Sequence, residues 1–339
     1  GFAIDLSGSM TKSIQNNTGE EISRLDSFRQ SLGRIVKTAQ SSIQQNRKRN
    51  IETSIDLFVY GFGLRSNKTE VCDLLHLLET GRQIISEGEI ERLKNTNIRE
   101  LKNRYRGYEG LDDLARNLGL GTLVDETENI FRSRAEAAVR HKTICDIKNL
   151  LETKLDTLTD RTLPIEDVAK LWNDSAKILD GTGEFIYGNT PMQEALTMTR
   201  ERFKRELATR PKDTVSILFL LSDGEPTDGD PRKIAESLKA LGITVFSCFV
   251  TDQDIANPRI LYGKPEAQWN NGAKLMFDMA SIVKDDSEYV SFLLNKGWKI
   301  NPQARLFVQV NHSEVLEEFI RVVLSPLEER NSETLPQGV

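Results

Sequence analysis

Cysteine is scarce in this chain: Cys72, Cys145 and Cys248 are its only three among 339 residues. So sparse and odd-numbered a set excludes a disulfide framework and fits a reducing compartment. Long apolar runs are missing as well, since none approaches the roughly 20 residues that span a bilayer. The opening Gly1-Phe2-Ala3-Ile4 is too short for a signal peptide and leads straight into polar residues. It begins without Met inside an apparent strand, which reads as a trimmed start. Without a secretory signal, the N-x-S/T tripeptides at Asn16, Asn67, Asn173 and Asn311 carry little weight. Together these absences point to a cytoplasmic protein with no membrane partner. A basic excess is also lacking. The formal net charge of −6 argues against bulk nucleic-acid affinity while allowing local basic patches. There is no GxxxxGK[ST] loop either, so any ATPase activity would come from another chain.

What remains is a soluble globular composition, 38% hydrophobic and 28% charged, with enough length for a sizeable core. Phe2-Ala3-Ile4 reads as the end of a buried strand. From about Ser23, Leu25, Phe28, Leu32, Ile35, Val36, Ala39 and Ile43 recur at helical spacing and predict one apolar stripe packed on a sheet. Ser23 or Asp26 is placed to cap that helix. Strands are predicted at Ile55 to Gly63, Val215 to Leu221, Ile243 to Val250 and Leu306 to Val310. Helices are predicted at Pro231 to Leu241, Ala273 to Ile282 and Ser313 to Leu324. This alternation implies an α/β fold: a doubly wound, mostly parallel central sheet with helices on both faces. Residues 64–180 break the pattern. They are highly charged, far longer than an ordinary α/β connection, and expected to form a helical insertion between the segments 1–63 and 181–325. Residues 326–339 are expected to be a polar tail.

Three separated pieces offer hard oxygen donors. Asp5-x-Ser7-x-Ser9 follows the first strand, Gly188-Asn189-Thr190-Pro191 precedes a helical stretch, and Asp223 ends the most apolar strand. Two carboxylates and three hydroxyls suit Mg²⁺, which takes octahedral oxygen coordination, keeps some waters and is usually held by one or two carboxylates. Mn²⁺ or Ca²⁺ would accept similar donors, whereas Zn²⁺ would want His and Cys. In open α/β sheets, ligands gather beyond the carboxyl ends of strands where the strand order reverses. If the strands ending at Asp5 and Asp223 flank that reversal, their carboxylates face one crevice.

With these pieces in this order, the sequence resembles the von Willebrand factor type A (vWA, integrin I-like) family and its metal-ion-dependent adhesion site. The family's DxSxS is matched by Asp5, Ser7 and Ser9, its threonine by Thr190 in GNTP, and its second aspartate by Asp223 in LLSDGEPTD. That last wording is similar to intracellular members found beside stress and tellurite-resistance systems. The resemblance implies that these five side chains hold one ion and leave a coordination position for a Glu or Asp of a partner protein. It implies binding without catalysis, as scaffold or regulator of an intracellular assembly.

Haloacid-dehalogenase-type phosphatases also use an Asp after the first strand, but they need a second Asp two residues later. Ser7 stands there, and a hydroxyl cannot do that proton transfer near neutral pH. Arg99, Lys102, Arg104 and Arg106, interleaved with Tyr105 and Tyr108, form a basic and aromatic patch of the kind that binds RNA. The acidic neighbours Glu100, Glu109, Asp112 and Asp113 favour a solvated, salt-bridged helix face. An adaptor for a ring ATPase is a further alternative. Asp228 and Asp230 read as solvated loop residues.

Overall fold

The computed structural model describes residues 1–15, 21–48, 54–63, 70–84, 86–105, 161–171, 189–211, 214–253, 255, 257–284 and 288–322, with scattered helical positions within 138–153. The expected tail 326–339 lies outside the described residues. In chain order the main elements are β1 (Phe2–Asp5), α1 (Arg24–Lys48), β2 (Val59–Phe62), β3 (Val71–Asp73), α2 (Leu74–Ile84), α3 (Glu87–Tyr105) and α4 (Met192–Thr209). They continue with β4 (Ile217–Ser222), α5 (Arg232–Ala240), β5 (Thr244–Val250), α6 (Asn271–Met279), α7 (Glu288–Asn295), β6 (Phe307–Val310) and α8 (Ser313–Arg321). No described helix is long and apolar enough to cross a membrane.

The six strands form one sheet in the order β6-β5-β4-β1-β2-β3. All neighbours are parallel except β3, which runs antiparallel to β2 at one edge. A parallel sheet is covered on both faces, which is why β4 and β5 read as continuous apolar runs and are almost wholly buried. On one face, Leu218 and Leu220 of β4 and Val245 and Phe249 of β5 join Met192, Leu196 and Phe203 of α4, Leu238 of α5 and Phe277 of α6 in one core cluster. On the other, Phe219 stacks on Phe246 with ring centroids 4.7 Å apart, and Phe319 of α8 meets both rings edge-on. Helix α1 packs along α8 and buries Leu32, Ile35, Val36, Ala39 and Ile43, the stripe its spacing predicts. The three-layer, doubly wound α/β class expected from the sequence is the fold observed.

Contacts divide the chain into two compact units. One comprises Gly1–Leu78 with Leu158–Val339, and the other Glu79–Thr157. The first unit takes in more of the 64–180 stretch than its charge pattern indicates. Val71–Asp73 pairs with β2 as the edge strand β3, in a segment that helical spacing describes equally well because Val71, Leu74, Leu75 and Leu78 are all buried. Further on, Leu163–Pro164 pairs with Asp56–Leu57, and the Arg161 amide donates to Asp73 Oδ2 at 2.5 Å. The described residues of the second unit are almost entirely helical. There Asn97 of α3, buried, donates to Thr143 Oγ1 at 3.1 Å and Asp146 Oδ2 at 3.0 Å.

Candidate metal site

The chain passes from β1 to β2 on one side and later returns to place β4 on the other, so strand order reverses at β1. Asp5 is the last residue of β1 and Asp223 directly follows β4. The crevice beyond these two strand ends is the one an open α/β sheet offers to ligands.

Asp5 is fully buried there. Its Oδ1 accepts the Ser7 amide at 2.8 Å and its Oδ2 accepts the Ser222 hydroxyl at 2.6 Å. Burial pushes its carboxyl up to about 6, against the pull of the hydrogen bonds from Ser222 and Ser7, and the nearby charge of Asp223 adds to the rise. A carboxylate this deep, bonded to neutral donors, is what a cation stabilises.

The serines are set by a 3₁₀ turn over Gly8–Thr11, closed by the Met10 amide donating to the Ser7 carbonyl at 2.9 Å and anchored by the buried Met10 side chain. This turn brings Ser7 Oγ and Ser9 Oγ to 2.9 Å. Thr190 is buried at the start of α4. Gly63 links the two loops. It adopts φ +86°, and a Cβ there would lie 2.8 Å from the Asn189 carbonyl oxygen and 2.9 Å from the Ser7 nitrogen. Gly224, at φ +82°, likewise allows the backbone after Asp223 to turn within van der Waals reach of Gly272.

Asp5, Ser7 and Ser9 thus meet beyond β1, Asp223 lies close enough for its charge to act on Asp5, and Thr190 opens the neighbouring helix. Among the described residues no group of three or more His, Cys, Asp and Glu side chains is placed to hold a metal. A cation here would rest on Asp5 and Asp223 with the hydroxyls of Ser7, Ser9 and Thr190. These hard, mostly neutral oxygens fit Mg²⁺ and do not fit Zn²⁺.

Several residues that shape the rim escape sequence reasoning. Ser222 bridges Asp5 to the Gly224 amide, which it accepts at 3.0 Å. Thr227 accepts the Thr190 amide at 2.9 Å and donates its own amide to the Thr190 carbonyl at 2.9 Å. Asp228 accepts the amides of Gln193 and Glu194 at 3.0 and 2.8 Å, so it caps α4 from another loop rather than standing free in solvent. A signal for this exists in the sequence: the residue before α4 is Pro191, which has no side chain able to cap. Asp230, by contrast, is exposed and pairs with Arg232. Arg24, the first residue of α1, lies almost fully buried beside Asp223. Its signal is a positive charge at the helix end where the dipole disfavours it.

The basic patch lies in the second unit. Arg99 is exposed on α3 and Lys102, Arg104 and Tyr105 occupy its last turn, while Arg106 and Tyr108 lie outside the described residues.

Residues 169–281 match the family model of the von Willebrand factor type A domain. No curated protein matches the chain. The conserved hypothetical protein BatB from Bacteroides thetaiotaomicron is a solved structure that aligns over 98% of both chains at 11% identity, with a TM-score of 0.37. That likeness is too distant to bear on function.

Proposed function

We propose that this chain, whose residues 169–281 match the vWA domain, is a Mg²⁺-dependent protein-binding module. Asp5, Ser7, Ser9, Thr190 and Asp223 hold the cation, and an acidic side chain of a partner protein completes its coordination. The observation that carries this reading is the buried Asp5 carboxylate at the strand-order reversal, bonded to neutral donors and ringed by hydroxyls. A cation whose protein shell supplies few formal charges remains electrophilic and rewards an incoming carboxylate. The residues of the chain fix the donors in place and leave chemistry aside: the role is recognition, as scaffold or regulator, without catalysis. Cys72, Cys145 and Cys248, none of them in a disulfide, are compatible with a reducing, cytoplasmic setting.

Calorimetric titration with Mg²⁺ and Mn²⁺ tests the site. Saturable binding to the wild type and its loss in both Asp5→Ala and Asp223→Ala, with folding verified, is the expected outcome. Wild-type protein that is folded and binds neither ion would sink the reading. Partner capture in Mg²⁺ buffer, reversed by chelator, then tests the recognition role.

A further inference from the structure

The guanidinium of Arg24 sits in the cation site in an unusual state. Its side chain is only 3% exposed. Nη1 is 3.4 Å from the Ser9 carbonyl oxygen and 3.6 Å from Asp223 Oδ2, and Nη2 is 3.8 Å from Asp252 Oδ2. The buried Nε has no hydrogen-bond partner among the described residues. An arginine held for stability makes short, paired contacts, as Arg259 does with Glu318 at 2.8 and 2.9 Å. Burying a guanidinium costs several kcal/mol unless excellent geometry compensates it, and here every contact is long. Its position is also against the dipole of α1. A purely structural role explains the burial but neither the loose contacts nor the choice of a cation.

Charge explains both. Asp5 feels the charge of Asp223, while Arg24 lies between Asp223 and the exposed Asp252. Three carboxylates against one guanidinium leave two negative charges, the complement of one divalent ion. We infer that Arg24 is the built-in counter-charge of the cation site. It restrains Asp223 and Asp252 when no cation is bound and opposes the cation when one arrives, so it sets the affinity. With a divalent ion present the cluster is neutral, and an approaching carboxylate meets no surplus negative charge. Asp252 belongs to the same balance from outside the coordination set. This inference rests on the cation reading above.

The test is calorimetric titration of the metal-free full chain with Mg²⁺ and with Mn²⁺ alone, at several KCl concentrations, alongside thermal unfolding without metal. Arg24→Gln should bind either ion about tenfold more tightly and unfold at lower temperature without metal. Arg24→Lys, which keeps the charge, should stay within about twofold of wild type, and Asp252→Asn should bind about threefold more weakly. The Arg24→Gln and Asp252→Asn shifts should both shrink as KCl screens the charges. Unchanged or weaker binding by folded Arg24→Gln, or unchanged binding by Asp252→Asn, overturns the inference. If Arg24→Gln does not fold, Asp252→Asn and Arg24→Lys decide it by the same criteria. A wild type that binds no divalent ion overturns the cation reading itself and this inference with it, an outcome distinct from a binding wild type whose variants do not shift.

Discussion

Helix α4 joins two polar clusters that differ in kind. At its start stands the rim of Asp5, Asp223, Asp252 and Arg24, with an excess of carboxylates and long charge contacts. At its end, Arg210 pairs with Asp56 just before β2 and with Glu206 at 3.0 Å, Arg202 meets Glu206 at 3.1 Å, and Thr162 donates to Glu206 at 2.6 Å. Two arginines face two carboxylates, and the contacts are short. The balanced cluster satisfies itself and holds α4 to the segments at 56 and 162. The unbalanced one is, in the function proposed above, completed by a cation. The difference teaches that charge balance and contact lengths distinguish two polar clusters that burial alone would not.

The sharpest way to break this contrast is to neutralise one carboxylate at each end. Asp5→Asn is expected to weaken Mg²⁺ binding by at least about a hundredfold. The same change should stabilise the metal-free chain. The folded carboxyl titrates at about 6 against an ordinary 3.8. A raised value means the stability is fully present below the ordinary value and is lost as pH rises through 6. Asn would recover about 2–3 kcal/mol at pH 7, measured by denaturant unfolding in chelator. A destabilised Asp5→Asn chain without metal would show that the rim is as self-satisfied as the other end.

Glu206→Gln should do the reverse, costing about 1–2 kcal/mol and leaving cation binding unchanged. Burial pushes the Glu206 carboxyl up, but the hydrogen bonds from Thr162 and Arg210 and the charges of both arginines outweigh it and hold it below its usual value. Its stabilisation is therefore present above the ordinary glutamate range near 4.3 and disappears as pH falls through the lowered value. Unfolding midpoints measured between pH 6 and pH 3 should fall less steeply in Glu206→Gln than in the wild type.

Asp228→Ala gives the smallest and most local effect. Losing the cap on the amides of Gln193 and Glu194 should cost about 1 kcal/mol. Because that loop also holds Thr190, Mg²⁺ affinity should drop several-fold, read by the same titration. A lost cap with undiminished affinity would show that the Thr190 loop is fixed by Gly63 and Thr227 alone.

Much was legible from local pattern. The 3.6-residue stripe of α1 and the apolar run of β4 encode burial directly, and the alternation of strands and helices encodes a parallel sheet. The capping of α1 by Ser23, whose hydroxyl accepts the Asp26 amide at 3.0 Å, is local as well. The placement of Asp5 and Asp223 after strands and of Thr190 before a helix was legible, because the order of elements along the chain reveals it without distances. The edge strand Val71–Asp73 was not, since three residues, Val-Cys-Asp, directly before a helix are too few to separate the two periods. Nor were Arg24, Asp252, Ser222, Thr227 and Asp228. Their roles depend on groups far away in sequence: Ser222 on Asp5, Arg24 on Asp223, and Asp228 on the amides of α4. By itself the sequence determined which segments bury and which side chains offer oxygen, because periodicity and chemistry are properties of neighbouring residues. Only the tertiary structure decided how the charges balance around them, because electrostatic balance is a sum over space that chain order does not record.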